Sequence, residues 1–315
     1  MKFKVLFLRR KYIYYTVILI LTLILIFLYF ITKPKETIAT FTISKPEEAV
    51  KADFDGDGDN ELLIISSNQG KFNLQITSNT KNIHINPDKV PNTLGNQLNY
   101  WHLRIILLDV NRDNLPEILL QGYNEKKPIQ HIFAIEENDY IPLLSTTNNI
   151  LGVLNVYSNK TPIVFTGNLI NGDIKFNANL MLLNNVKSVS GTYEASFAGR
   201  DTIISFIKFI EAFPYTELLL PKKLDSGLLS TSDYNVINKL FKSGKRFVFQ
   251  DGFFSDRKYD KDGEISELNW ILNFKTVTPN AQNSEESCIL NLILKSSKDT
   301  SYHYKISSIK LEEKK

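Results

Sequence analysis

The pattern of apolar and polar positions begins with one unbroken apolar run, YIYYTVILILTLILIFLYFIT, over residues 12–32. At 1.5 Å per residue, a helix of this length reaches about 30 Å, which is the thickness of the hydrocarbon core of a bilayer. Tyrosines lie near both ends, and five cations precede the run within residues 1–11. The pattern therefore predicts a transmembrane helix with a cytosolic amino-terminal stub.

A cleaved signal peptide is the alternative explanation of this run. The apolar region of a signal peptide spans about 7–15 residues and ends at a site of the A-x-A type. The residues at the end of the run and after it, ITKPKETIATF, contain no such site. We therefore expect an uncleaved signal-anchor in a single-pass protein of the cell membrane, with a stalk over residues 33–46 and an extracytoplasmic body.

Residues 47–195 carry a different pattern, in which a polar loop runs directly into a short apolar strand three times. The copies are DFDGDGDNELLI from Asp53, DVNRDNLPEILL from Asp109 and the fainter NVYSNKTPIVF from Asn155. A second strand-like run follows each copy, and the copies start 56 and 46 residues apart. This spacing favours a small multistranded unit such as the blade of a β-propeller.

The acidic residues of the first two loops stand at the alternate positions that a calcium site requires. Ca²⁺ takes six to eight oxygen ligands from carboxylates, carbonyls and water. Side chains at the first, third, fifth and ninth positions of a tight loop and the carbonyl of the seventh can supply them. Gly58 aligns with Asn114, the residue type that most readily follows glycine into left-handed backbone. The predicted Ca²⁺ ligands are Asp53, Asp55, Asp57, the Asp59 carbonyl and Glu61 in the first loop, and Asp109, Asn111, Asp113, the Leu115 carbonyl and Glu117 in the second.

The acidic segments could also be metal-free surface turns, EF-hands or hairpin turns. An acidic surface turn without metal is the alternative for every copy, and it is favoured for the third, which has no carboxylate. An EF-hand is excluded, because it needs a glutamate at the twelfth position and helices on both sides. Ile64 and Leu120 stand at those positions, and the flanks are strand-like. A further segment, DRKYDKDGEISEL from Asp256, contains the pair Asp262-Gly263 and predicts a hairpin turn.

The pattern D-x-D-x-D-G-x-x-E/D leading into an apolar strand resembles the FG-GAP or VCBS repeats of integrin-alpha-like β-propellers. The resemblance covers about residues 45–190. It implies that the loops join blade strands and bind Ca²⁺ for structural reasons. Three blades are fewer than such a propeller needs to close. The resemblance therefore also implies that the arc packs on another domain, pairs with another chain or includes further copies.

The spacing changes from residue 200 to 315. Two amphipathic helical patterns, which begin near Asp201 and Ser232, are followed by four strand-like runs. This order predicts an α+β domain with a curved antiparallel sheet, similar in shape to nuclear-transport-factor-like proteins. The predicted fold class is therefore one amino-terminal transmembrane helix, then a β-rich FG-GAP/VCBS-like partial propeller, then this α+β domain.

The distribution of charge bears on the possible partners, and the cysteine content bears on disulfide bonding. The formal net charge is +3, but residues 1–35 hold seven cations and no acid, so that 30 basic and 34 acidic residues remain in the body. A mildly acidic body argues against nucleic-acid binding, which requires a basic face. The single cysteine, Cys288, excludes an intrachain disulfide.

The sequence contains no recognisable catalytic motif. None of the four histidines has metal-ligand spacing, and neither a G-x-S-x-G motif nor a phosphate-binding glycine loop is present. The expected function is a non-enzymatic binding or scaffold role at the cell envelope, with Ca²⁺ as the bound ion and protein or glycan partners at the cell surface. The alternative is an envelope enzyme with its site in residues 200–315, because such a domain shape hosts enzymes as well as binding modules.

Overall fold

Antiparallel β-sheet makes up most of the structure. The computed structural model describes residues 10–31, 39–43, 48–78, 81–125, 127–136, 139–158, 160–183, 185–191, 196–215, 219–279, 285–298 and 302–312. Most of the predicted stub, over residues 1–9, lies outside the described residues, as do residues 33–38 and 44–46 of the predicted stalk.

An α-helix, α1, occupies Arg10–Ile31 and forms a unit separate from the β-rich remainder. Its bounds agree closely with the apolar run. Within the described residues, however, no helix combines the length and the apolarity that a membrane crossing requires. On this finding, the predicted transmembrane signal-anchor over residues 12–32 is wrong. The single-pass membrane localisation with an extracytoplasmic body, which depended on it, is wrong as well.

The three sequence repeats form three four-stranded antiparallel units. The first unit contains β2 (Glu48–Ala52), β3 (Glu61–Asn68), β4 (Lys71–Thr77) and β5 (Asn82–Ile85). The second contains β6 (Leu103–Leu108), β7 (Glu117–Asn124), β8 (Lys127–Glu136) and β9 (Asp139–Thr146), and β1 (Ala39–Ile43) joins its edge beside β6. The third contains β10 (Ile150–Leu154), β11 (Ile163–Ile170), β12 (Asp173–Leu182) and β13 (Asn185–Val189). In every unit, the repeated loop connects the first two strands.

The carboxy-terminal region supplies two helices and four long strands. The helices are α2 (Arg200–Glu211), preceded by a 3-10 turn at Phe197–Gly199, and α3 (Thr231–Lys242). The strands are β14 (Arg246–Tyr259), β15 (Ile265–Val277), β16 (Glu285–Ser296) and β17 (Tyr304–Leu311). The predicted hairpin at Asp262-Gly263 is confirmed, because it joins β14 to β15.

The third repeat and the carboxy-terminal strands share one eight-stranded sheet, in the order β13-β12-β11-β10-β14-β15-β16-β17. The junction is the parallel pairing of β10 with β14, in which Ile150 lies opposite Gly252. This pairing satisfies the backbone groups that β10 would otherwise expose at a sheet edge. The predicted fold class is therefore wrong in a second respect, because the α+β region does not form a sheet of its own.

The sheets stack in layers, and the side chains of the middle sheet alternate between two cores. Ile105 and Leu120 pack against the four-stranded sheet, whereas Ile106 and Leu119 pack against the eight-stranded sheet. Burial on both faces explains why residues 105–108 of β6 and 118–120 of β7 are continuously apolar instead of alternating. Helices α2 and α3 cover the opposite face of the eight-stranded sheet, where they share a core with residues such as Trp270.

Asp233 fixes α3 in position. The helix begins with a capping box, in which Ser230 and Asp233 each accept a hydrogen bond from the other's backbone N–H. The Asp233 carboxylate also accepts from Ile309 N of β17 at 2.7 Å and from the Ser308 hydroxyl at 3.1 Å. Burial would raise the pKa of Asp233, but the hydrogen bonds from Ile309, Ser230 and Ser308 outweigh it and hold the pKa below its ordinary value.

We expect Asp233→Asn to lower the free energy of unfolding by about 1 kcal/mol at pH 7, the usual contribution of a capping residue. Because the pKa is lowered in the folded state, the contribution of Asp233 is fully present above the unfolded pKa of about 3.9. It is lost as the pH falls through the folded pKa. The gap between wild type and variant in urea denaturation should therefore close as the pH falls below about 4. Asp262→Asn, at an exposed turn, is the control, and a gap that is constant with pH would contradict the prediction.

Candidate metal centre

The first loop connects β2 to β3 and folds around its own carboxylates. Asp53 accepts from Gly56 N at 2.7 Å and from Gly58 N at 3.1 Å, through its two oxygens. Glu61, at the start of β3, accepts from Phe54 N at 2.7 Å. Ligand oxygens of Asp53, Asp55 and Glu61 lie within 4.8 Å of one another. Three convergent carboxylates in a turn of this kind are the hard oxygen donors that Ca²⁺ prefers.

The second loop, between β6 and β7, repeats this hydrogen-bond scheme position by position. Asp109 accepts from Arg112 N at 2.6 Å and from Asn114 N at 3.1 Å. Glu117 accepts from Val110 N at 2.7 Å. The third-position side chain, Asn111, accepts from the N–H two residues later, as Asp55 does in the first loop. The two segments are therefore the same structural unit, although the second contains an asparagine at the third position.

The backbone of both loops has the left-handed conformation that the sequence predicted. Gly58 and Asn114 have φ angles of 92° and 72°, so that asparagine replaces glycine at a position with positive φ. Gly56 lies against the second loop, where a Cβ would come within 2.9 Å of Leu115 Cδ2. The two loops are therefore in contact.

The predicted ligands are not all brought together to the same degree. Asp53, Asp55 and Glu61 form the acidic group, while Asp57 turns one oxygen to Asp59 N at 2.7 Å. In the second loop, Asn111 donates to Asp113 at 2.8 Å. The Asp59 carbonyl in the first loop remains a predicted ligand. So do all five predicted ligands of the second loop, including the Leu115 carbonyl.

Burial, and after it repulsion between carboxylates, disfavours the charged form of Glu117 in the second loop. Burial raises the pKa of Glu117 to about 8, the Val110 hydrogen bond opposes this, and the charges of Asp113 and Asp109 raise the pKa further. A dication among these carboxylates would reverse the repulsion. The stability of the second loop therefore depends on whether a proton or a cation neutralises its carboxylates.

Tyr140 of β9 lies between the two loops, and sequence reasoning missed it. Its hydroxyl donates to Phe54 O at 3.4 Å, and its ring packs edge-on against Phe54. Burial raises the pKa of Tyr140, and the charges of Glu61 and Glu117 raise it further, so that both loops act on one phenol. Tyr140 lies outside both loops in sequence and its own segment does not repeat their pattern, so the sequence offered no signal for this position.

A cleft of about 90 Å³ opens beside the first loop, and Asp55, Glu61, Lys81 and Tyr140 are among its lining residues. A water molecule occupies about 30 Å³ in the liquid. The cleft therefore has room for water to complete the oxygen shell of a cation on the first loop.

One buried histidine and the two tryptophans, which could have belonged to a functional site, have structural roles instead. The His131 ring is buried and makes hydrogen-bond contacts of 2.9 Å to Ser145 Oγ and to Thr93 O, so both ring nitrogens have a partner within the fold. Burial lowers the pKa of His131, against the effect of the Thr93 hydrogen bond. Trp101 stacks on Tyr123, and Trp270 is buried and donates to Ala198 O at 2.9 Å. Core packing therefore accounts for both tryptophans.

Comparison of the chain with protein-family models, with curated proteins and with solved structures found no match. The resemblance to FG-GAP or VCBS repeats accordingly depends on the residues and the loop geometry of this chain alone.

Proposed function

We propose that this chain is a calcium-stabilised β-repeat protein with a non-catalytic binding or scaffold role toward a protein or a glycan. The observation that carries the proposal is the shared geometry of the loops at residues 53–61 and 109–117. Both wrap a first-position aspartate with two backbone N–H groups and close with a buried glutamate at the ninth position. The occurrence of the same carboxylate-lined turn twice in one chain favours a role of these loops in cation binding.

The position of the loops supports a structural role for the ion. Each loop connects the first two strands of its four-stranded unit, and the two loops touch where Gly56 meets Leu115. Phe54, the second residue of the first loop, belongs to the core between the two sheets. An ion bound there would fix the ends of adjacent strands and the contact between neighbouring sheets. Saturation at about 100 times the Kd would stabilise the fold by about 2.7 kcal/mol per site.

We expect calorimetric titration of the calcium-free full chain to show two Ca²⁺ sites with a Kd of about 10⁻⁴ to 10⁻³ M, at the weak end of the range of carboxylate-lined Ca²⁺ loops. The first should be the tighter, because four carboxylates stand in it against three in the second. Asp53→Asn should remove one site and Asp109→Asn the other.

Asp260→Asn is the matched control, because Asp260 makes the same kind of hydrogen bonds to backbone N–H groups in a hairpin turn outside the repeats. This variant should keep both sites. Unfolding in EDTA verifies that every variant is folded. Absence of binding to the folded wild type would refute the proposal, and so would equal loss of binding in Asp260→Asn.

A further inference from the structure

The third loop has lost every carboxylate of the pattern but keeps a convergent set of oxygens. Its first residue, Asn155, has a φ of 69°. The carbonyl oxygens of Asn155, Val156, Ser158 and Lys160 all face one atom, Arg112 Nη2, at 3.1, 3.0, 3.3 and 3.4 Å. Carbonyl oxygens converging on a positive charge are the usual surroundings of a bound cation.

These four contacts are not four separate hydrogen bonds. Nη2 carries two hydrogens, so the carbonyls must share them, and the attraction is largely that of four dipoles for one delocalised charge. Arg112 reaches the third loop from the second, where its own N–H donates to Asp109 at 2.6 Å. The Arg112 side chain as a whole is exposed, and solvent therefore limits the strength of the interaction.

A second substitution supplies the missing acid. In the first two loops, the ninth-position glutamate accepts from the second-position N–H. Ile163 stands at the ninth position of the third loop, and Val156 N donates instead to Asp256 of β14 at 3.0 Å. The other Asp256 oxygen accepts from Tyr157 N at 3.1 Å and from the Tyr259 hydroxyl at 2.9 Å. Asp256 is buried. It therefore occupies the chemical place of Glu61 and Glu117, from a strand about 100 residues away in sequence.

We propose that the third loop is a guanidinium-binding cage in which Arg112 is the resident cation and Asp256 is the closing carboxylate. The loop takes a planar organic cation in place of Ca²⁺. The cage connects the second loop to β10, β11 and β14, and so joins the middle sheet to the eight-stranded sheet.

Arg112 also couples the cage to the second loop. An ion bound at Asp109 would restrain the Arg112 backbone, and the cage would then bind a better-placed guanidinium group. This part of the inference depends on the proposed function. It predicts that Ca²⁺ raises the Tm of wild type more than it raises the Tm of Arg112→Ala.

Chemical rescue of Arg112→Ala tests the cage without calcium. Thermal unfolding of the full chain is followed in EDTA at constant ionic strength, with 0 to about 20 mM guanidinium chloride replacing sodium chloride. We expect the variant to unfold about 2–4 °C below wild type, the shift of a modest loss of stability in a chain of this size. Guanidinium should restore at least half of the shift. As a denaturant it has almost no effect at this concentration, so the wild type should not respond.

Arg246→Ala, at the exposed start of β14, is the matched control and should show no rescue. An unchanged Tm in Arg112→Ala, or a lowered Tm that guanidinium does not restore, would overturn the cage. With the two predicted Ca²⁺ sites removed by Asp53→Asn and Asp109→Asn, rescue of Arg112→Ala by Ca²⁺ as effective as rescue by guanidinium would overturn its selectivity. Equal Ca²⁺-induced shifts in wild type and Arg112→Ala would overturn the coupling alone. A wild type that does not respond to Ca²⁺ would refute the proposed function and leave the rescue result in EDTA intact.

Discussion

Asp251→Ala is expected to lower the free energy of unfolding by about 3–5 kcal/mol, because it would leave a buried arginine without its counter-ion. Arg104 Nη1 lies 2.6 Å from Asp251 Oδ1, and the two side chains are only 3% and 5% exposed. Arg104 stands on β6 and Asp251 on β14, so the pair crosses the interface between the middle sheet and the eight-stranded sheet. Loss of one partner leaves a charge in an apolar interface that water does not reach freely.

The neighbours of this pair are also polar and buried. Gln121 of β7 accepts from Arg104 at 2.8 Å and donates to Gly252 O at 3.1 Å. Asn273 of β15 donates to Asp251 at 3.2 Å. The apolar residues around them can pack in several registers, whereas directed hydrogen bonds fit one. We therefore interpret the network as the element that fixes how the two sheets face each other.

Urea denaturation measures the effect, and a charge-free double variant separates pairing from packing. Arg104→Met with Asp251→Leu should recover much of the loss, because replacement of a whole buried pair by apolar residues is often nearly neutral. Glu267→Ala, which removes the more exposed ion pairs to Arg257 and Lys258, should cost less than about 1 kcal/mol. A loss below about 1 kcal/mol in Asp251→Ala would show that Arg104 finds other partners, and the network would then have no special role.

Local patterns carried the correct part of the sequence prediction. Helical spacing identified α2 and α3, and Pro214 lies shortly after the end of α2. The alternate acids defined the two loops closely enough that the positive φ of Asn114 was expected from its alignment with Gly58. These features depend on residues within about ten positions of one another, where spacing and backbone preference suffice.

Features that depend on distant residues could not be predicted. Nothing near Asp256 indicates that it closes a loop that begins at Asn155, and Arg112 has no local sign of its contacts with the third loop. The apolar run predicted the bounds of α1 closely. It also suggested a membrane crossing that the described residues do not support. Pairing of β10 with β14 is likewise a choice among many exposed edges, which a single sequence does not rank.

Gly152→Ala tests that junction, with an expected loss of about 3 kcal/mol, at the upper end of the usual cost of overpacking a core. Gly152 of β10 lies opposite Phe254 of β14. A Cβ at Gly152 would come within 2.1 Å of the Phe254 ring, and that ring is fully buried and stacked on Trp270 with centroids 4.6 Å apart. The ring has no room to move away, so either the stack or the strand pairing must yield.

Gly252→Ala is the matched control, because it lies in the same pairing and its Cβ would meet side chains only at 3.3 Å and beyond. It should cost less than about 1 kcal/mol, because a contact at 3.3 Å asks only a small shift of the Leu272 side chain and alanine is favoured over glycine inside a strand. Phe254→Leu should restore part of the loss when combined with Gly152→Ala, since the smaller side chain frees the space that the methyl group needs. Equal costs for the two alanine variants would show that the Phe254 ring is not the source of the loss. A destabilised Gly152→Ala that Phe254→Leu rescues would establish that close packing of one glycine on one ring joins the repeat region to the carboxy-terminal strands.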